Sequence, residues 1–123
     1  DIEESLVQVN YNYLNKNPFN SIYFAVLSMA AELSTGLYAL LYTTGLKPSC
    51  AFIITKMKAN FIKKASGITI FICKDGEKIK TAIDKCIKEN IPVKVKVKST
   101  GNNELGEPVA EFEFIWSFKQ RSN

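Results

Sequence analysis

IYFAVLSMAAELSTGLYALLYTT, residues Ile22 to Thr44, is apolar almost throughout and carries a single charge, Glu32. The run predicts a long helix, entered at a cap supplied by Asn20 or Ser21 and ended by Gly45 and Pro48. A helix apolar nearly all round is expected in the interior of a fold. An ionised side chain carried there must find a partner, shift its pKa or face a wet cleft, so Glu32 is the first candidate for chemistry. Ser28, Glu32 and Thr35 stand four and three residues apart and are expected to form one polar line with a cleft beside it.

The same stretch is long enough to cross a bilayer, which takes about 20 residues. Glu32, Ser28, Ser34 and Thr35 near its middle argue against a span, and the rest of the chain alternates as a soluble sheet does. No membrane partner is expected. Upstream, Leu6 to Tyr13 alternate, with Val7, Val9, Tyr11 and Tyr13 on one side, and Asn15 to Ser21 with Pro18 read as a loop.

Downstream, Cys50 to Ile62 read as a long strand, with Ala51, Ile53, Thr55, Met57, Ala59 and Phe61 sharing one face and Lys56, Lys58 and Asn60 the other. Ile68 to Cys73 are apolar on both faces, as in a strand covered on both sides. Between Glu77 and Asn90, Ile79, Ala82, Ile83, Cys86 and Ile87 follow helical spacing. Val93, Val95 and Val97 alternate with lysines, the turn-rich STGNNELGEP follows, and Phe112, Phe114, Trp116 and Phe118 alternate with Glu111, Glu113 and Ser117, which predicts a hairpin. The expected fold class is α+β, a curved antiparallel β-sheet with one long helix filling its buried face and a short helix inserted between strands. At 123 residues one domain, 1–123, is expected. No signal peptide is visible, and the start at Asp1 rather than Met is compatible with a truncated N-terminus.

Composition excludes several chemistries. With no histidine, Ser-His-Asp and Cys-His nucleophile activation and nearly every zinc site are ruled out. Cys50, Cys73 and Cys86 are odd in number, widely spaced and set among apolar residues, as buried free thiols in a reducing, cytoplasmic compartment are. No metal and no cofactor are expected. The formal charge of +4 comes with lysines concentrated between Lys56 and Lys98. These fit solvated faces or attraction of an anionic ligand; no nucleic-acid motif accompanies them.

The residues at the helix start resemble the motif of the hotdog-fold thioesterases, closest to a thioesterase-like branch whose activity is largely unassigned. There an Asn, a Gly three residues later and a His-Gly-Gly open the central helix, and an Asp or Glu follows nine residues after the His. Asn17, Asn20, Tyr23, Phe24 and Ala25 occupy those places, Glu32 stands where the acid should be, and Lys56 to Gly67 (KMKANFIKKASG) resemble the strand and turn that follow. Tyr23 replaces the histidine, Phe24 and Ala25 replace the glycines, and Ile54 stands where some members carry a hydroxyl residue.

The resemblance implies hydrolysis of acyl-CoA or acyl-carrier thioesters, with coenzyme A present only as part of the substrate. Amides of Tyr23 to Ala25 at the helix N-terminus suit a developing oxyanion. Glu32, about two and a half turns further on, cannot reach that carbonyl along its own helix. In a homodimer, or a dimer of dimers, antiparallel helices would bring Glu32 of one protomer to the helix start of the other. Glu32 and Asn17 are then the expected catalytic pair, with Tyr23, Phe24, Ala25, Ser28 and Thr35 lining the substrate site. The rival expectation is a non-catalytic hotdog module that binds an acyl ligand or oligomerises.

Overall fold

Residues 4–10 and 24–121 are described in the computed structural model. Along the chain run β1 (Ser5–Asn10), α1 (Phe24–Thr43), β2 (Cys50–Phe61), β3 (Ile68–Cys73), α2 (Gly76–Glu89), β4 (Val93–Asn102) and β5 (Pro108–Gln120). The strands form one curved antiparallel sheet in the order β1-β3-β4-β5-β2, so β1 and β2 are its edges. The expected α+β arrangement, with a helix inserted between β3 and β4, is what these elements build. Tyr11, Tyr13 and the capping residues Asn20 and Ser21 lie outside the described residues.

Aromatic residues of β5 carry the core. Phe112, Phe114, Trp116 and Phe118 all point to the α1 side and are at most 5% exposed, as their alternation predicts. Phe71 of β3 meets Phe112 edge-on, with ring centroids 5.8 Å apart. From α1 come Leu27, Ala30, Ala31, Tyr38 and Ala39; from α2 come Ile79, Ala82, Ile83 and Cys86. The sheet is therefore filled by two helices, where one had been expected.

Contacts with α1 fix α2 closely. The Tyr38 ring lies against Gly76, where a Cβ would come within 2.5 Å of it. Asp75 accepts the Lys98 backbone N–H at 2.7 Å and ties the start of α2 to β4. Asn90 closes α2 in the left-handed region (φ 51°), a conformation asparagine tolerates better than most residues.

Two strand expectations are corrected. In β2 a bulge between Ile54 and Lys56 advances the register by one residue, so alternation changes phase at Thr55. Phe52, Ile54, Met57, Ala59 and Phe61 consequently share the α1 side, and Ala51 and Ile53 join Lys56, Lys58 and Asn60 on the outer side. In the hairpin, Ser99 to Asn102 belong to β4 rather than to the turn. Ser99 is buried and Gly101 lies against Phe71, where a Cβ would stand 2.6 Å from the ring, so the small residues of STG are there for packing. The turn itself shrinks to residues 103–107, organised by Asn103, whose Oδ1 accepts from the N–H groups of Leu105 (3.0 Å) and Glu107 (2.9 Å).

Candidate functional site

The buried side of α1 carries a chain of hydroxyls. Trp116 Nε1 donates to Thr35 Oγ1 at 3.0 Å, and Thr35 donates in turn to the Glu32 carbonyl at 2.9 Å. Ser34 donates to the Ala31 carbonyl at 2.7 Å, sits 2.6 Å from the Ser99 hydroxyl, and its own carbonyl accepts from Ser5. Hydroxyls are tolerated in this apolar interface because each is bonded. Together they fix how α1 is rotated on the sheet.

That rotation turns Glu32 outward. The carboxylate is exposed, which corrects the expectation of a buried charge, and Thr35 is fully buried on the sheet side. Ser28 is half-buried between them. Ser28, Glu32 and Thr35 thus form no single line: residues three and four apart are offset by 60° and 40° around a helix of about 3.6 residues per turn, and the edge of the buried face falls between Glu32 and Thr35.

The helix as a whole departs from expectation in the same sense. Met29 (67% exposed), Leu33, Leu37, Leu40 and Leu41 form an apolar stripe open to solvent, and Glu32 stands at its margin beside the buried face. A helix apolar all round satisfies the core with one face and leaves the other uncovered. By length and composition α1 could cross a membrane, but its inner face is packed on the sheet. On the sheet beyond it, Met57 (51% exposed) and Phe61 of the edge strand β2 leave the α1 side of that strand open as well.

Phe24 and Ala25 open α1, and the Ala25 side chain is exposed. Asn17 and Tyr23 lie outside the described residues. Ile54, at the hydroxyl position of the resemblance, faces Trp116 across the β2–β5 ladder. An open depression of about 370 Å³ lined by Lys58, Asn60, Lys98, Thr100, Glu111 and Glu113 lies on the opposite side of the sheet and has no part in the surroundings of Glu32. Among the described residues, no group of three or more His, Cys, Asp or Glu could hold a metal.

Sequence reading missed the Trp116–Thr35–Glu32 connection. Its signal was present in the lone tryptophan of an otherwise phenylalanine-rich strand, since a buried indole N–H requires an acceptor.

No protein-family model and no curated protein matches the chain. Solved structures do. A Pseudomonas aeruginosa protein named "Probable Thioesterase" is 22% identical, with 97% of this chain and 78% of that one covered at a TM-score of 0.79. A Chlorobaculum tepidum protein of unknown function is 15% identical, with coverage of 98% and 79% and a TM-score of 0.81. A Bacillus halodurans protein crystallised with CoA is 11% identical, with coverage of 92% and 66% and a TM-score of 0.63. What the chain shares with these proteins is the fold, across nearly its whole length.

Proposed function

We propose that the protein is a thioesterase-like hydrolase of acyl-CoA or acyl-carrier thioesters, working as a homodimer with Glu32 as its base. The observation that carries this is the placement of Glu32: the one charge of α1 stands exposed at the margin of an apolar stripe, Met29, Leu33 and Leu37, between it and the face packed on the sheet. A carboxylate in apolar surroundings suits proton abstraction once a partner and a substrate exclude water. The fold likeness to a "Probable Thioesterase" and to a protein holding CoA supports the substrate class.

In the proposed cycle the thioester carbonyl sits at the start of the partner's α1, near the amides of Tyr23 to Ala25, with Asn17 helping to hold it. Glu32 takes a proton from water as the water oxygen bonds the carbonyl carbon. The tetrahedral intermediate collapses with cleavage of the carbon–sulfur bond, and the departing thiolate takes the proton back from Glu32. Acid and free thiol leave.

The test is release of free thiol from acyl-CoA substrates of graded chain length. Wild-type turnover with a loss of about 100- to 10,000-fold in Glu32→Gln is expected, the usual range for removal of a general base. Equal rates in the two proteins would refute the role. Tyr23, Phe24 and Ala25 in place of His-Gly-Gly favour the second reading, a non-catalytic hotdog module; acyl-CoA binding without thiol release would establish it.

A further inference from the structure

Among the described residues no element covers the side of the sheet turned away from α1, and the lysines of that side are segregated. Reading across β2, β5 and β4 by register, Ile53 aligns with Ser117 and Lys94, Lys56 with Ile115 and Lys96, and Lys58 with Glu113 and Lys98. Lys119 stands one outward position beyond Ser117, beside Ala51. The acids on these strands, Glu111 and Glu113, gather at one end, where Glu113 lies 3.8 Å from Lys98. At the other end Lys56, Lys94, Lys96 and Lys119 are all exposed and, among the described residues, none forms an ion pair. Neighbouring strands lie about 4.8 Å apart and alternate residues about 6.6 Å apart, so the four charges occupy one patch around Ile115 and Ser117.

We propose that this patch is a docking surface for an anionic lipid bilayer. Charge complementarity supplies the attraction, and the composition selects the partner. Every aromatic ring of β5 points to the α1 side, so β5 offers the outer face no ring on which a base could stack, and β2, β4 and β5 carry no arginine for bidentate phosphate or base recognition, the chain's one arginine, Arg121, coming after β5. Protein interfaces favour aromatic and arginine anchors and are depleted in lysine. A second copy brought face to face would set lysines against lysines. What remains suited is an extended anionic plane met by point charges on long stems, with Ile53 and Ile115 between them reaching the headgroup layer. The contact is adsorption through a sheet face, distinct from the spanning helix that the sequence argues against, and it does not depend on the thioesterase assignment.

Co-sedimentation of the full chain with vesicles tests it. Vesicles of phosphatidylcholine mixed with phosphatidylglycerol should bind the protein at low salt and release it at high salt, and phosphatidylcholine alone should not bind it. Each lysine near an anionic surface is worth about fivefold in partitioning, the equivalent of about 1 kcal/mol, so Lys94→Gln/Lys96→Gln should weaken binding about 25-fold. Lys80→Gln/Lys85→Gln, which removes the same charge from exposed positions of α2, should leave it unchanged. Equal loss in both variants, equal binding to both vesicle types, or capture of single-stranded oligonucleotide in preference to vesicles would overturn the proposal.

Discussion

Thr35 shows how one hydroxyl can serve two elements. It accepts from the Trp116 indole and donates to the Glu32 carbonyl, joining β5 to the turn of α1 that carries the candidate base. Thr35→Val keeps the volume but leaves the buried indole N–H without an acceptor, so a loss of about 1–3 kcal/mol in urea-unfolding stability is expected. In a Trp116→Phe background the same change should have a much smaller effect, and equal effects in both backgrounds would show that the bond is not what stabilises the pair. Gly101→Ala should destabilise for a steric reason, since the added Cβ would stand 2.6 Å from the ring of Phe71, which is fully buried. The isolation of Glu32 was legible in the sequence because charge count is a property of the chain. Its direction was not, because a helix with leucines and alanines on every side gives no periodic signal of which face the sheet will claim.

At the level of elements, strands were legible wherever alternation ran uninterrupted, as along Phe112 to Phe118, and illegible where backbone geometry changed its phase. Thr55 is such a point: FII followed by TKMK satisfies two different alternations, and only the bulge decides which residues face α1. The hairpin was legible as a hairpin from its two flanking strands, but Ser99 to Asn102 read as turn residues because Ser, Gly and Asn favour turns on local grounds alone. Tertiary packing against Ser34 and Phe71 overrides that preference. The true turn depends on Asn103, which accepts two backbone N–H bonds and donates to Glu107 at 3.1 Å. Glu107 is bonded in addition by Lys63 across the turn, at 2.5 Å. Asn103→Ala should therefore lower stability by about 1–2 kcal/mol, checked by thermal unfolding. Lys63→Ala, which removes only an exposed ion pair, should change it by less than about 1 kcal/mol.

Over the whole molecule, burial of neutral acids sets the alkaline limit. Burial pushes Tyr38 up to about 12, with the Cys73 thiol adding to the shift, and pushes Cys50 and Cys73 up to about 11. In each case the folded chain holds a proton that the unfolded chain releases at the ordinary value of 9 to 10. Stability is then fully present below pH 9 and declines as pH rises towards 12, by at most about 1.4 kcal/mol per pH unit for each group. A urea midpoint that stays flat across this range would contradict the assignment. The larger consequence concerns assembly. Met29, Leu33, Leu37, Leu40 and Leu41 on α1, with Met57 and Phe61 on β2, leave an apolar surface next to a strand whose outer backbone groups have no sheet neighbour among the described residues. A long apolar edge of this kind is a template for pairing, and antiparallel addition of a second β2 would lay the two α1 stripes side by side. Leu37→Glu should then give a monomer by sedimentation velocity if the wild-type chain is the proposed dimer, because the apolar stripe that the contact would cover then carries a carboxylate that must be desolvated. If Glu32 acts on a thioester held by the partner, the same substitution should abolish turnover at protein concentrations where the wild type is active. A dimer that survives Leu37→Glu would move the interface elsewhere and separate Glu32 from any shared site.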